Sequence, residues 1–215
     1  MEGMDAPNKP DWDPDSALRD RLAETLAAEA AFSGWSQTAL RAAAEQIGAL
    51  ADAERLFPGG PVDVLAHLSG RADRRTVEAM ETAGVAALKI RERIKVAVRL
   101  RIENTVGGKE SVRRGLALLA LPFNGPLALK LLYRTVDATW YAAGDTSTDF
   151  NFYTKRATLA GVFSSTLLYW LNDRSEGNEA TWAFLDRRID DVMRFEKWKA
   201  DVSSWRGPRR FSSRR

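Results

Sequence analysis

Apolar residues recur every third or fourth position along most of the chain, and nowhere do they alternate with polar residues over a sustained stretch. That spacing lines one face of an α-helix and does not suit a half-buried strand, so the pattern predicts an all-α fold. Ile90, Ile94, Val98 and Ile102, in steps of four, show it most plainly. Glycine and proline divide the pattern into about nine helices. The first starts at Asp15–Ser16, carries Leu18, Leu22 and Leu26 on one face and stops at Gly34. Ser36 caps the second, which sets Leu40, Ala44 and Ile47 inward before Gly48. A very short third helix ends at Phe57–Pro58, and Gly60–Pro61 opens the fourth with proline in a favoured first-turn position. The fifth ends at Gly107–Gly108, and four more are expected near 109–121, 126–143, 152–172 and 179–200.

Length and composition bound what such a fold can do. At 215 residues and 45% apolar content the chain can build one domain with a substantial core. It has no cysteine, which excludes disulfides, thiolate metal sites and a cysteine nucleophile, and suits a reducing compartment. His67 is the only histidine, so no histidine cluster is available to zinc or iron. The net charge of +3 hides an asymmetry: residues 197–215 hold seven basic groups and one acid, a sum of +6, leaving −3 for the rest. The longest uncharged apolar stretch, 157–172, has 16 residues, where a membrane-spanning helix needs about 20. Residues 1–14, with Glu2, Asp5, Asp11 and Asp13, carry the wrong sign for a targeting peptide and are expected to be a disordered lead.

The first third is alanine-rich, whereas from Leu116 onward the helices are apolar nearly all round. Such helices are buried on several sides or face an apolar ligand. A thick core with a dimer seam and a lipid cavity are both compatible with this composition. For a cavity, periodicity selects Leu119, Leu131, Leu132, Phe163 and Leu167 as lining.

Residues 15–60 have the outline of a helix-turn-helix, with Gly34-Trp35-Ser36-Gln37 entering it and Leu56-Phe57-Pro58 leaving. This resembles the DNA-binding unit of TetR-type repressors. A working unit offers basic and polar groups at the start of its second helix. Here that segment reads Leu50-Ala51-Asp52-Ala53-Glu54-Arg55, in which Asp52 and Glu54 oppose phosphate and the small residues offer nothing to base edges. No specific DNA binding is expected, although a ligand-sensing TetR-type regulator stands as the alternative function.

Two further segments stand out. Asp145 to Thr154 joins two helices, with Ser, Thr and Asp suited to turns and with Asp149 placed as an N-cap. It also carries Phe150, Phe152 and Tyr153, aromatics of the kind that anchor partners. A metal site from Asp145 and Asp149 lacks further ligands. The tail, 201–215, together with Trp198, interleaves Trp198, Trp205 and Phe211 with Arg206, Arg209 and Arg210, a mixture suited to an anionic membrane surface, simply to solvation or, by charge but by no fold, to nucleic acid. Carboxylates and arginines alternate over 186–196 as on an ion-paired, solvated face. No phosphate loop, nucleophile elbow or di-iron motif is present, so no enzyme, cofactor or metal is expected.

The run from Trp140 to Arg156 (WYAAGDTSTDFNFYTKR), supported by Glu179 to Arg188 (EATWAFLDRR), resembles the ubiquinone-biosynthesis accessory family of the Coq nine type. The resemblance extends from about Leu22 to Lys199. It implies a TetR-like homodimer in which residues 61–200 form a helical lipid-binding and dimerisation domain. It also implies a cavity for an isoprenoid quinone-type lipid or phospholipid, and docking on a membrane-bound demethoxyubiquinone hydroxylase. The docking patch would fall on Asp149, Phe152, Tyr153 and Arg156, with Trp140 and Asp145 beside it. The implied location is the inner face of a bacterial inner membrane, or the matrix face in a mitochondrion. The family usually has tryptophan where this chain has Phe152, and its better-known members end in an amphipathic membrane helix in place of this basic tail.

Overall fold

In a computed structural model, residues 14–145 and 151–204 are described. Among them every regular element is helical: α1 (Pro14–Ser33), α2 (Gln37–Gln46), α3 (Ala53–Leu56), α4 (Pro61–Thr82), α5 (Ile90–Glu103), α6 (Gly108–Leu119), α7 (Gly125–Ala142), α8 (Asn151–Asn172) and α9 (Glu179–Ser204). Single 3-10 turns at Val85–Ala87, Pro122–Asn124 and Glu176–Asn178 link α4 to α5, α6 to α7 and α8 to α9.

The helix boundaries follow local chemistry. The Ser36 hydroxyl accepts the Ala39 amide and so satisfies one of the free donors at the start of α2. Pro61 occupies the first turn of α4, where its missing N–H costs nothing. Gly34, Gly48, Gly60 and Gly107 take positive φ at helix ends, a region costly for side chains with a Cβ. Asp173 gathers the backbone and side-chain donors of Ser175 and Thr181, tying the end of α8 to the start of α9. Those bonds, the Thr181 hydroxyl first, hold the Asp173 carboxyl well below the usual carboxylate range.

Two cores result. One gathers Leu22, Leu26, Leu40, Leu56, Phe57 and Val64 with buried alanines of α1 to α3. The other gathers Ile94, Val98, Ile102, Val136, Leu159, Phe163, Trp170 and Leu185 from α5, α7, α8 and α9. Helix α4 lies along α7 and also meets α1 and α5, so it joins the two halves. One expectation fails here: Ile90 begins the stripe of α5 in register but is exposed, because it occupies the first turn with no helix beyond it to cover it. The expected solvated face of α9 is only partly internal. Arg188 and Arg194 pair with Asp191, but Asp186 reaches Lys95 of α5 at 2.9 Å.

Candidate functional site

A cavity of about 390 Å³ opens between α4, α5, α6, α7 and α8, with Trp35 of the α1–α2 turn closing one side. Leu119, Leu131, Leu132, Phe163 and Leu167, expected from periodicity to line an apolar space, all lie in its wall. The size falls within the roughly 300–1,000 Å³ typical of small-molecule pockets. Two details shape it. Gly115 lets α6 approach so closely that a Cβ there would stand 2.9 Å from Leu65 Cδ2. Trp35 is fixed by its indole nitrogen, which donates to the Ser111 carbonyl at 2.9 Å.

The wall is not uniformly apolar. Arg101 of α5 lines it while only 8% exposed, and its Nε donates to Asp73 of α4. Its Nη2 donates to the hydroxyls of Ser69 at 3.1 Å and Thr135 at 3.4 Å, and Thr135 in turn donates to Asp73 at 2.8 Å. Sequence reading missed this cluster because a charged residue in a helix is ordinarily at the surface. The signal was present: Arg101 stands four residues after the buried Ala97 and beside the buried Ile102, on the inward face of α5.

The second expected site surrounds the start of α8. Phe152 and Tyr153 meet edge to face, with ring centroids 5.2 Å apart, and Tyr153 is 70% exposed. Arg156, expected within the docking patch, is itself enclosed: it is 9% exposed, bonds Asp137 at 2.7 Å and lies over the Phe152 ring at 3.3 Å. A guanidinium against a ring face gains from packing as well as charge, which draws it inward. Asp145 is likewise enclosed, bonded by Lys155 at 2.9 Å and facing Arg156 at 3.7 Å. Trp140 is half-buried, with the Lys155 ammonium over its ring at 5.5 Å. Tyr153 is thus the outward group, set against Phe152, while Asp145 and Arg156 are enclosed and Trp140 is half-buried. Asp149 lies outside the described residues, as do Trp205, Arg206, Arg209, Arg210 and Phe211. Trp198 falls within α9, and its side chain is outside what is described.

At the helix-turn-helix unit, α3 is a single turn whose Ala53 and Leu56 are buried. Arg55 is taken up by Asp15 and Asp52, and Glu54 pairs with Arg41 at 3.4 Å. Among the described residues no single helix is long and apolar enough to cross a membrane, although α6 and α7, bent by 92° at Pro122, pass that test together. No group of three or more His, Asp or Glu side chains suited to a metal is found among them.

These features define a class: an all-α, TetR-like fold enclosing an apolar cavity. The same fold appears in the crystal structure of a TetR transcriptional regulator from Nitrosomonas europaea, with a TM-score of 0.68 at 23% identity, covering 83% of this chain and 97% of that one. The COQ9 family model matches residues 125–196. The COQ9-B ubiquinone biosynthesis protein of Xenopus laevis is 31% identical over 90% of this chain and 69% of its own length. The rat COQ9 protein is 30% identical over 90% of this chain and 64% of its own, and the human protein 29% identical over 63% of its own. The chain therefore belongs to the COQ9 family of ubiquinone biosynthesis proteins. It spans just under two thirds of the length of the rat and human relatives.

Proposed function

We propose that this protein is a non-enzymatic, lipid-binding accessory factor of ubiquinone biosynthesis, which takes up quinone-precursor lipids and presents them to a membrane-bound demethoxyubiquinone hydroxylase. The observation that carries the reading is the cavity, whose wall collects five large apolar side chains from α6, α7 and α8 around about 390 Å³ of unfilled space. A largely apolar pocket of that size with a few polar groups in its wall suits an apolar ligand. The patch crowned by Tyr153 supplies a candidate docking anchor, and the tail from Trp198 to Phe211 a candidate contact with anionic lipid. Homodimerisation, and a location on the matrix face of a mitochondrial membrane or its bacterial equivalent, complete the proposal; the rat and human relatives are named as mitochondrial.

Native mass spectrometry of protein purified under lipid-retaining conditions tests it. Wild type should carry an isoprenoid or phospholipid, and Leu132→Lys should lower occupancy at least about tenfold while helicity is kept, since an unpaired charge excludes an apolar neighbour. Lipid-free wild type would remove the proposal. A regulator reading is disfavoured because Arg55, the one cation of the short α3 segment, is held by two carboxylates. A sequence-specific footprint at physiological salt would reinstate it.

A further inference from the structure

The turn between α6 and α7 is an apolar corner with nothing among the described residues over it. The two helices meet at 92°, and the tip carries Leu121, Pro122 and Phe123, all exposed, Phe123 to 77%. Pro126, Leu129 and Tyr133 continue the exposed face along α7 at helical spacing, Leu129 being 69% exposed. Single exposed apolar side chains are ordinary, but a contiguous run of them marks a contact surface.

The backbone of the corner bears on what it contacts. The Ala120 amide donates to the Leu116 carbonyl at 2.9 Å, the Asn124 amide to the Leu121 carbonyl at 2.9 Å and the Gly125 amide to the Pro122 carbonyl. Buried Asn124 also gives its side-chain amide to the Leu118 carbonyl at 2.9 Å, which holds the turn and leaves Phe123 projecting from it. Pro122 and Pro126 have no N–H to satisfy. A corner with its polar groups met from within can leave water cheaply, the condition that a bilayer interior sets for any backbone entering it.

Charge points the same way. From Ser111 to Val136 no residue is acidic. Arg113 and Arg114 pair with Glu110, but Lys130 and Arg134, exposed beside Leu129 and Tyr133, form no ion pair with the described residues. Hydrocarbon leads at the tip, and Tyr133 follows about 12 Å along α7 from Gly125 at 1.5 Å per residue. Tyrosine at head-group level, with cations reaching phosphates from apolar stems, suits an anionic membrane interface. An isologous contact with a second copy would instead gather the same uncompensated cations with no acid of this face to meet them.

We propose that the α6–α7 corner is a membrane-insertion element, in which Leu121, Phe123 and Leu129 enter the acyl region of an anionic bilayer while Lys130 and Arg134 hold its head groups. Ala120, an exposed residue of the cavity wall, adjoins Leu121, so insertion sets the cavity mouth against the bilayer. The inference adds to the reading above a membrane contact made by the folded helices and independent of the tail.

The test is sedimentation of the full chain with phosphatidylcholine vesicles, with and without phosphatidylglycerol. Phe123→Ser with Leu129→Ser should lower partitioning at least about tenfold on the anionic vesicles, the scale expected for one buried large apolar side chain or more. Lys130→Gln with Arg134→Gln should cost about tenfold or more on anionic vesicles and nothing on neutral ones. All four side chains are exposed, so circular dichroism and melting temperature should not change. A second readout isolates the corner from the tail. Because the chain has no cysteine, Leu121→Cys can carry a polarity-sensitive fluorophore, and exposed Ala51→Cys serves as the control. The label at 121 should shift to the blue and be quenched by lipid-borne quenchers, and the label at 51 should do neither. A label at 121 that stays in water on vesicle-bound protein places attachment elsewhere and overturns the insertion element, leaving membrane binding intact. Vesicle binding unchanged in the Ser pair, with a loss of dimer mass or of hydroxylase capture in its place, makes the corner a protein interface and overturns it too. Failure of wild type to bind either vesicle removes this inference together with the membrane contact proposed above.

Discussion

In the N-terminal unit Ala23, Ala27, Ala43 and Ala44 are fully enclosed together with Leu22, Leu26 and Leu40, so α1 and α2 pack with small side chains set among large ones. In the C-terminal half, α7 and α8 bring leucines and a phenylalanine inward and still leave about 390 Å³ unfilled. Larger side chains have not made the fuller core. Small residues let helices approach until nothing fits between them, while bulky ones on splayed helices enclose space. The half that in a repressor would meet DNA is thus the compact one, and the half that would sense a ligand is the one with room.

The contrast is open to direct attack. Leu40→Ala in the tight core should cost about 2–5 kcal/mol by urea denaturation, because its neighbours are already in contact and cannot collapse into the gap. Leu132→Ala, which only enlarges an existing space, should fall at or below the bottom of that range. Equal losses would erase the distinction. The reverse substitution sharpens it: Ala43→Phe should destabilise by about 1–3 kcal/mol through overpacking, whereas Ala128→Phe at the cavity mouth should stay within about 0.5 kcal/mol of wild type. A strongly destabilising Ala128→Phe would mean that the space is not free.

Tyr153→Ala should alter stability by no more than about 0.5 kcal/mol, as befits an exposed ring, while weakening hydroxylase capture at least about tenfold. A fall in melting temperature without a separate loss of capture would make the patch structural. The smallest effect is expected at the α8–α9 link. The Asp173 carboxyl is held down by its hydrogen bonds from Thr181 and Ser175. Its contribution is therefore fully present above the ordinary carboxylate range and is lost as pH falls toward its depressed folded value. The melting-temperature gap between wild type and Asp173→Asn should accordingly shrink on acidification below about pH 4, the unfolded value for such a group. A gap constant from neutral to acid pH would show that the charge is immaterial.

How far the sequence revealed this follows from what each residue reports locally. Helix limits were legible because Ser36, Pro61 and the positive-φ glycines act within one turn of where they stand. The cavity wall was legible because Leu119, Leu131, Leu132, Phe163 and Leu167 fall in the apolar runs that begin at Leu116. What escaped was pairing across the fold. Arg101 needs Asp73, 28 positions away, before its burial makes sense. Arg156 was placed in the docking patch without its carboxylate partner Asp137, which arrives from α7, whereas the Phe152 ring it lies over is a local neighbour one turn back. Local pattern gives a helix its face, but only the assembled fold decides which charges that face must accommodate.

The close approach at Gly115 has a consequence for what the cavity can tolerate. On the sides built by α7 and α8, leucine and phenylalanine can change rotamer and yield. Where α6 passes Leu65, Gly115 sets bare main chain against a leucine methyl, while Leu116 and Leu119 of the same helix turn side chains to the cavity. A side chain at position 115 would have to be accommodated by Leu65 and by the nearby Trp35 indole, both of which line the space. The girth the cavity offers a guest therefore depends on a position that contributes no side chain of its own.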